Sequence, residues 1–181
     1  MKYSILCCLS IFFILNTSCK SPEARKPITV KTGSFIKASA ERNKELNEKE
    51  ALLIRAITEK NADKTVISYS YGFWYFLNNS EKNNDYFAKF GDKVNFDYNI
   101  KTLKGATIYS AEELGTQNYS MDKQEIFTGL REGLKLLNEG QSATFLFPSQ
   151  KAFGYYGDEN KIGTNIPIMC EVTINKITKI Q

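Results

Sequence analysis

The chain has 181 residues, with 24 lysines and arginines, 20 aspartates and glutamates, four cysteines and no histidine. This length fits one domain of ordinary size with an additional segment, and an apolar content of 42% is enough to bury a core. The absence of histidine excludes Ser-His-Asp and Cys-His nucleophiles, histidine-liganded zinc and an imidazole general base, and a net charge of +4 is too small to favour a nucleic-acid partner.

The first element along the chain is an apolar run over 3–15, which follows the basic residue Lys2. A run of about 13 residues is too short to span a bilayer, for which roughly 20 are needed, but it is typical of a signal peptide. Small and polar residues then lead to Cys19. The segment resembles a bacterial lipoprotein signal, although Asn16 stands where that signal usually has leucine.

This resemblance implies that 1–18 are removed and that lipid on Cys19 anchors the protein to the membrane of the cell envelope, with ordinary secretion as the alternative. Lys20 stands where an aspartate would retain a lipoprotein at the inner membrane, so the outer membrane is the expected location. After cleavage and lipidation only Cys170 remains free, and no internal disulfide can form.

Residues 19–40 are predicted to form a basic tether, because 20–40 hold five basic residues and one acidic residue, with prolines and a glycine between them. Residues 41–64 are predicted as an N-terminal amphipathic helix, with helical spacing over 41–62. No glycine or proline interrupts 41–60, and apolar residues recur there at intervals of three and four. A homodimer through this helix is one further expectation.

The rest of the chain, 65–181, is predicted to be one α+β domain. β-Branched and aromatic residues predict a strand over 66–76, and a polar insert follows over 78–85. Apolar and polar residues alternate over 94–100, which predicts a half-buried strand, and 107–109 are expected to form its return strand.

Helical spacing returns over 124–138, where Gly140 is expected to cap the C-terminus of the helix. Alternation over 143–147 and 168–174 predicts two more strands, with a loop over 154–167 between them. The predicted architecture is therefore an antiparallel sheet of short strands with an amphipathic helix packed against it.

Several short motifs, taken in order, resemble those of the FKBP-type peptidyl-prolyl isomerases. The motifs are GDKVNFDY at 91–98, KQEIFTGLREG at 123–133, LLNEGQ at 136–141, FP at 147–148, AFGYYG at 152–157 and the last strand at 168–177. The resemblance implies a curved antiparallel sheet of about five to six strands wrapped on one short helix. With the signal, tether and leading helix, the chain also resembles the gliding-motility-associated isomerase lipoproteins of Bacteroidetes.

The reaction that such a protein catalyses requires few functional groups. Rotation about an X–Pro bond breaks no covalent bond, and its barrier of roughly 18–20 kcal/mol is lost amide resonance. A catalyst therefore needs an apolar cup, exclusion of water and one or two placed hydrogen bonds. Since no metal, cofactor or titrating group takes part, the absence of histidine is compatible with this reaction.

Matching the family's motifs to this sequence implies catalytic roles for Tyr98, Phe127 and Phe153. Tyr98 would line one wall with its ring and hydroxyl, the backbone N–H of Phe127 would bind a substrate carbonyl, and Phe153 would supply an aromatic face. The substrate-binding residues implied in the same way are Ile108, Tyr109, Ile126, Leu130, Ile162 and Cys170. Spacing alone favours core packing for Ile126, Leu130 and Cys170.

Five of these positions depart from the family's usual residues. Ile108 and Cys170 stand for phenylalanines, Leu130 for a tryptophan, Tyr109 for an aspartate and Phe153 for a tyrosine. The cup is therefore expected to stay apolar but to lose a carboxylate, a tyrosine hydroxyl and two large rings, and macrolide inhibitors of the family are expected to bind weakly or not at all.

The leading hypothesis is a membrane-anchored isomerase that acts on proline-containing segments of exported proteins, with no cofactor, metal or nucleic acid. The alternative is a catalytically weak FKBP-fold binding module or chaperone within an envelope secretion or gliding machinery, which the departures from the family's pocket favour.

Overall fold

The computed structural model describes residues 32–61, 64–79 and 84–180. Internal contacts divide the chain into two units, Met1–Ala38 and Ser39–Gln181, and the sheet belongs to the second unit. The predicted signal over 1–18, Cys19 and the first part of the tether lie outside the described residues. None of the helices in the described ranges is both long enough and apolar enough to cross a membrane.

Helix α1 comprises Thr32–Lys60 and begins nine residues before the predicted start. Part of the predicted tether is therefore helical, because no proline lies between Pro27 and residue 40 and that stretch includes lysine and alanine, which are good helix formers. The predicted end is close to the observed one. Asn61 closes the helix, since its side-chain Nδ2 donates to the carbonyl of Ile57 at 2.9 Å.

The described residues form one sheet of eight antiparallel strands, which confirms the α+β class with more strands than expected. The order along the sheet is β1-β2-β7-β8-β3-β6, and β4 pairs with both β5 and β8. The strands are β1 Ile67–Tyr69, β2 Phe73–Leu77, β3 Lys93–Tyr98, β4 Ile100–Thr102, β5 Thr107–Tyr109, β6 Gln117–Ser120, β7 Ser142–Phe147 and β8 Ile168–Thr178. The short helices are α2 Ala111–Leu114, α3 Thr128–Leu134 and the 3-10 turn Ser149–Lys151.

Two predicted elements have different bounds in the structure. The strand predicted over 66–76 is a hairpin, β1 and β2, in which Gly72 turns the chain with a φ of 84°. The helix predicted over 124–138 is reduced to α3, so Gly140 does not cap it. Gly129 and Gly133 lower its helix propensity, and a Cβ on Gly129 would lie 2.5 Å from Cδ1 of Phe147.

Alternation along the strands gives the sheet two different faces. The inner face packs against α3 and forms the main core, in which Phe145, Phe147, Leu130 and Leu134 are fully buried. Helix α1 contributes the buried residue Ile54 outside this core. Helix α1 is tied to the domain by Glu50, whose carboxylate accepts hydrogen bonds from the backbone N–H and the hydroxyl of Ser149, at 2.8 and 2.6 Å.

Candidate functional site

The structure brings all nine predicted pocket residues into one apolar cluster on the inner face of the sheet. They come from β3 (Tyr98), β5 (Ile108, Tyr109), α3 and the residues before it (Ile126, Phe127, Leu130), the loop before β8 (Phe153, Ile162) and β8 itself (Cys170). The cluster therefore joins residues that are far apart in sequence, and Tyr98 and Cys170 are separated by 72 positions.

The accessible part of the cluster is aromatic. The rings of Phe127 and Phe153 lie 5.0 Å apart, and Phe127 meets the buried ring of Phe147 edge-on at 5.5 Å. Ile126, Phe127 and Phe153 line one side of an open cavity of about 610 Å³, whose other side is the polar segment 122–125 with Arg131. The other six predicted residues do not line this cavity.

Phe127 occupies the position just before helix α3, with an extended backbone at φ −61° and ψ 143°. Its carbonyl accepts the hydrogen bond of Arg131 N–H that opens the helix. Within the described residues, its own N–H has no acceptor. Since the first N–H groups of a helix have no partner inside the helix, this donor is available to a bound carbonyl.

Tyr98 contributes a second donor at the end of β3. Burial, with a smaller contribution from Cys170, raises the pKa of Tyr98 to about 12, so its hydroxyl is protonated at neutral pH. None of the described side chains or backbone groups hydrogen-bonds this hydroxyl, although all fully buried polar side-chain atoms there are satisfied. The hydroxyl is therefore a free donor beside an apolar surface.

Three of the predicted residues lie beneath the surface. Leu130 and Cys170 are fully buried, and Ile162 is 3% exposed. They form the interior of the cluster, as spacing alone had suggested for Leu130 and Cys170. Burial also raises the pKa of the Cys170 thiol, which is therefore protonated and unreactive.

The rim of the cluster contains a residue that sequence reasoning missed. Asp158, in the loop before β8, accepts a hydrogen bond from the Tyr109 hydroxyl through Oδ2. Its Oδ1 accepts from the backbone N–H groups of Asn160 at 3.0 Å and Ile162 at 2.7 Å. A carboxylate thus stands beside Tyr109, although the sequence resemblance implied that the pocket loses the carboxylate that the family usually has at position 109.

Hydrogen bonds stabilise the charged form of Asp158 at this rim. Burial by itself would raise the pKa of Asp158, but the hydrogen bonds from Tyr109, Ile162 and Asn160 outweigh it and lower that pKa. Lys161 adds a second link, because its ammonium lies 4.6 Å from the centre of the Tyr109 ring and pairs with Glu113 of α2. The loop that carries Phe153 and Ile162 is therefore fixed to β5 and α2.

Across 32–61, 64–79 and 84–180, no three aspartate, glutamate or cysteine side chains come together in a way that could hold a metal ion. The arrangement offers an apolar surface, two hydrogen-bond donors and a fixed rim. Such a site can bind a ring and a carbonyl group without proton transfer.

Comparisons with known proteins agree with this reading. The family model of the FKBP-type peptidyl-prolyl cis-trans isomerases matches residues 84–175. A curated relative, the probable FKBP-type peptidyl-prolyl cis-trans isomerase FkpA of Neisseria meningitidis, is 30% identical over 86 residues, which are 48% of this chain and 31% of the relative. The chain thus matches about a third of that relative's length.

Two solved structures show the same fold. A peptidyl-prolyl cis-trans isomerase of Pseudomonas syringae pv. tomato superposes with a TM-score of 0.61 at 15% identity, covering 75% of this chain and 96% of that one. FkpA of Escherichia coli superposes with a TM-score of 0.60 at 21% identity, covering 98% of this chain and 82% of that one. At these identities the likeness concerns the fold alone.

Proposed function

The chain belongs to the FKBP-type peptidyl-prolyl cis-trans isomerase family, and from this we propose that its inner-face cluster catalyses rotation about X–Pro bonds in polypeptides. The observation that supports the proposal best is the gathering of all nine implied pocket residues into one cluster within the matched segment 84–175. The family's usual residues differ at five of these positions, but the surface remains apolar and keeps two donors.

In the proposed mechanism, the prolyl ring packs against Phe127 and Phe153, and Tyr98 contributes its hydroxyl from the same apolar cluster. A planar amide is more polar than a twisted one, because resonance separates charge between its oxygen and nitrogen. An apolar surface that excludes water therefore favours the twisted form. Hydrogen bonds from Phe127 N–H and Tyr98 Oη to neighbouring carbonyls would hold the substrate while the bond rotates.

The fixed rim has a role in this proposal. Asp158 holds Tyr109 and the backbone of Ile162, so the loop behind Phe153 keeps its position when a substrate is absent. A binding surface that is already formed loses less entropy when it binds. The smaller entropy loss thereby offsets part of the binding free energy that is lost with the larger side chains at Ile108, Leu130 and Cys170.

A protease-coupled assay with X–Pro peptides tests this function on residues 20–181. We expect isomerisation above the uncatalysed rate, and a loss of about tenfold or more in kcat/KM in Phe153→Ala, since a buried aromatic contact contributes on the order of 1.4 kcal/mol or more. Tyr155→Ala is the matched control, because Tyr155 belongs to the same loop but is 69% exposed. No catalysis by the unmodified domain would refute the proposal.

We further propose that lipid on Cys19 anchors the protein at the outer membrane of the cell envelope, where exported proteins supply the proline-containing segments. Support comes from the apolar run over 3–15 and the small residues before Cys19. In Cys19→Ser the protein is expected to leave the membrane fraction for the soluble fraction. Retention in the membrane fraction would contradict lipid anchoring.

The second candidate is a catalytically weak binding module or chaperone in an envelope secretion or gliding machinery. A homodimer through α1 is a separate proposal that is compatible with either candidate. The substitutions at Ile108, Tyr109, Leu130 and Cys170 favour it, since they remove rings and a carboxylate on which the family relies. The double variant Tyr98→Ala, Phe153→Ala separates the two candidates. Normal function of the folded double variant in cells supports this candidate over catalysis, and sedimentation at several concentrations tests the dimer.

A further inference from the structure

A second and larger cavity lies on the outer face of the sheet, away from the proposed prolyl site. It has a volume of about 1060 Å³ and shares no lining residue with the nine residues of that site. Its apolar lining includes Leu53, Ala56 and Ile57 of α1, Phe76 of β2, Pro167 just before β8, and Met169 of β8. We name it the outer groove.

The alternation of β8 separates the two sites. Cys170 points into the inner core, so its neighbours Met169 and Glu171 point to the outer face. The turn between β4 and β5, at 103–106, also lines the outer groove. A ligand in the outer groove would therefore contact the sheet on the opposite side from the prolyl site.

The charged residues around the outer groove are mainly basic. Lys60, Lys64 and Lys104 line it, and in the part of the chain that the structure describes none of the three forms a salt bridge. The ammonium of Lys64 lies 4.4 Å from the centre of the Phe76 ring, so Lys60 and Lys104 are the two that are free to pair with a ligand. Glu171 also lines it, but its carboxylate is already bound by Lys101 and by the side chain of Asn99, both at 2.8 Å. The hydrogen bond from Lys101 is the main reason why the pKa of Glu171 is lowered.

An apolar lining with unpaired basic side chains at its edge favours an amphipathic ligand with negative ends. The ammonium groups of Lys60 and Lys104 are available to such a ligand, and the side chain of Leu53, at 48% exposure, leaves apolar surface open to solvent. The volume is at the upper limit for sites of small molecules, and the cavity is open to solvent. These properties fit an extended chain better than a compact molecule.

We propose that the outer groove binds a polypeptide segment of apolar residues flanked by aspartate or glutamate. The apolar side chains pack against Leu53 and Met169, and the acidic flanks pair with Lys60 and Lys104. The segment 20–31 of this chain does not meet the charge requirement, since it holds four basic residues and one acidic residue. The groove thus gives the protein a means of holding a client or partner that is independent of proline.

Fluorescence anisotropy on the whole chain tests this proposal with a labelled synthetic peptide of leucine and phenylalanine flanked by aspartates and lacking proline. Two companion peptides replace the aspartates by asparagine or by lysine. The double variant Lys60→Glu, Lys104→Glu reverses the rim, and the matched control Lys93→Glu, Lys176→Glu makes the same charge change on exposed residues outside the groove.

The aspartate peptide should bind best and the lysine peptide least. Reversing the two charges in Lys60→Glu, Lys104→Glu should weaken the affinity for the aspartate peptide about tenfold, because two ion pairs become two repulsions. In the control variant the affinity should change less than about twofold. Isomerisation of a short X–Pro peptide should be unchanged in the rim variant. Leu53→Asn should also weaken binding severalfold, since apolar contact is part of the site.

Three results would overturn the proposal. Equal affinity for the three peptides would remove the charge argument. An equal loss in the control variant would show a general effect of net charge. Displacement of the labelled peptide by an X–Pro peptide, or by raising the concentration of the protein itself, would place the binding in the prolyl site or between two copies of the chain.

Discussion

The inner and outer faces of the sheet are built from alternate residues of the same strands, yet they differ in almost every property. Along β7 the inner face presents Ala143, Phe145 and Phe147, all fully buried in the main core. The outer face presents Thr144, which hydrogen-bonds the side chain of Asn78 at 2.9 Å, and Leu146. Period-two alternation has therefore produced one closed apolar surface and one mixed surface from a single strand.

The difference shows how a sheet can carry two functions. On the inner face the proposed site is continuous with the core, so Leu130 and Cys170 serve stability as well as the floor of the site. On the outer face α1 covers part of the sheet and leaves an apolar cavity with a basic rim. Changes on the inner face are expected to affect stability and catalysis together, whereas changes on the outer face can be separated from catalysis.

The largest effect is expected from Gly129→Ala, on the inner face. A Cβ there would lie 2.5 Å from Cδ1 of Phe147 and 2.7 Å from the carbonyl oxygen of Lys151, so α3 would have to move. We expect a loss of about 3 kcal/mol in the free energy of unfolding, measured with urea. Gly163→Ala is the control, since its Cβ would have no neighbour closer than 4.0 Å. Equal stability of the two variants would show that α3 does not pack as described.

The next effect is expected where Glu50 ties α1 to the 3-10 turn Ser149–Lys151. Replacing Glu50 by alanine leaves the buried N–H and hydroxyl of Ser149 without their acceptor, at a cost of about 2 kcal/mol. Glu48→Ala is the comparison, because its contact with Lys44 is an exposed pair at 3.9 Å. Below the unfolding transition, isomerase activity of Glu50→Ala should stay near that of the unmodified chain. A parallel loss of activity would show that the two faces are coupled.

A smaller effect, on the order of 1 kcal/mol, is expected for Asp158→Asn at the rim of the prolyl site. The pKa of Asp158 is lowered in the folded protein, so the folded state binds fewer protons than the unfolded state at acidic pH. Its stabilisation is complete above the unfolded value of about 3.9 and is lost as the pH falls through the lower folded pKa.

Urea unfolding between pH 2 and pH 7, on the order of one point per half unit, checks this sign. The unmodified chain should lose stability below about pH 4, and Asp158→Asn should lose less over the same interval. Asp92, whose pKa is also lowered, remains in the variant, so part of the dependence of stability on pH remains as well. An identical slope in both proteins would show that Asp158 is not bound in the folded state as described.

The smallest effect is expected for Glu59→Gln on the exposed side of α1. Glu59 pairs with Arg55 at 3.1 Å, but both side chains are largely exposed, so the pair contributes about 0.3 kcal/mol. Thermal unfolding should be almost unchanged, and the small difference should vanish at high salt. A loss comparable with that of Glu50→Ala would mean that charge pairs rather than the buried carboxylate hold this helix.

Periodicity predicted the regular parts of the fold well. The strands β3 and β8 were identified because buried and less buried residues alternate along them. Sequence alternation also identified β7, although both of its faces are buried in the structure, and β5 was predicted as the return strand after the turn at 104–105. The length of the helix predicted over 124–138 was overestimated, because apolar residues on both sides of α3 continue the helical spacing. Gly129 and Gly133 lower the helix propensity of this segment. β6 and α2 were missed, since 111–120 have no clear period.

Contacts between distant positions could not be predicted from the sequence. Tyr109 and Asp158 are 49 residues apart, and Glu50 and Ser149 are 99 apart, so no local pattern connects them. The resemblance named nine residues that the structure brings into one cluster, because it carries the geometry of the whole fold. It did not indicate Asp158, which compensates locally for the tyrosine at position 109.

Exchange NMR on a peptide with one X–Pro bond tests the central claim most directly, because it detects isomerisation without a coupling protease. Cis–trans exchange is expected to speed up in proportion to the concentration of the unmodified protein. A folded Tyr98→Ala variant should be at least about tenfold slower, since it loses one placed hydrogen bond and one wall of the cup. Exchange at the uncatalysed rate with the unmodified protein, or equal rates for the two proteins, would contradict the assignment of the inner-face cluster as the isomerase site.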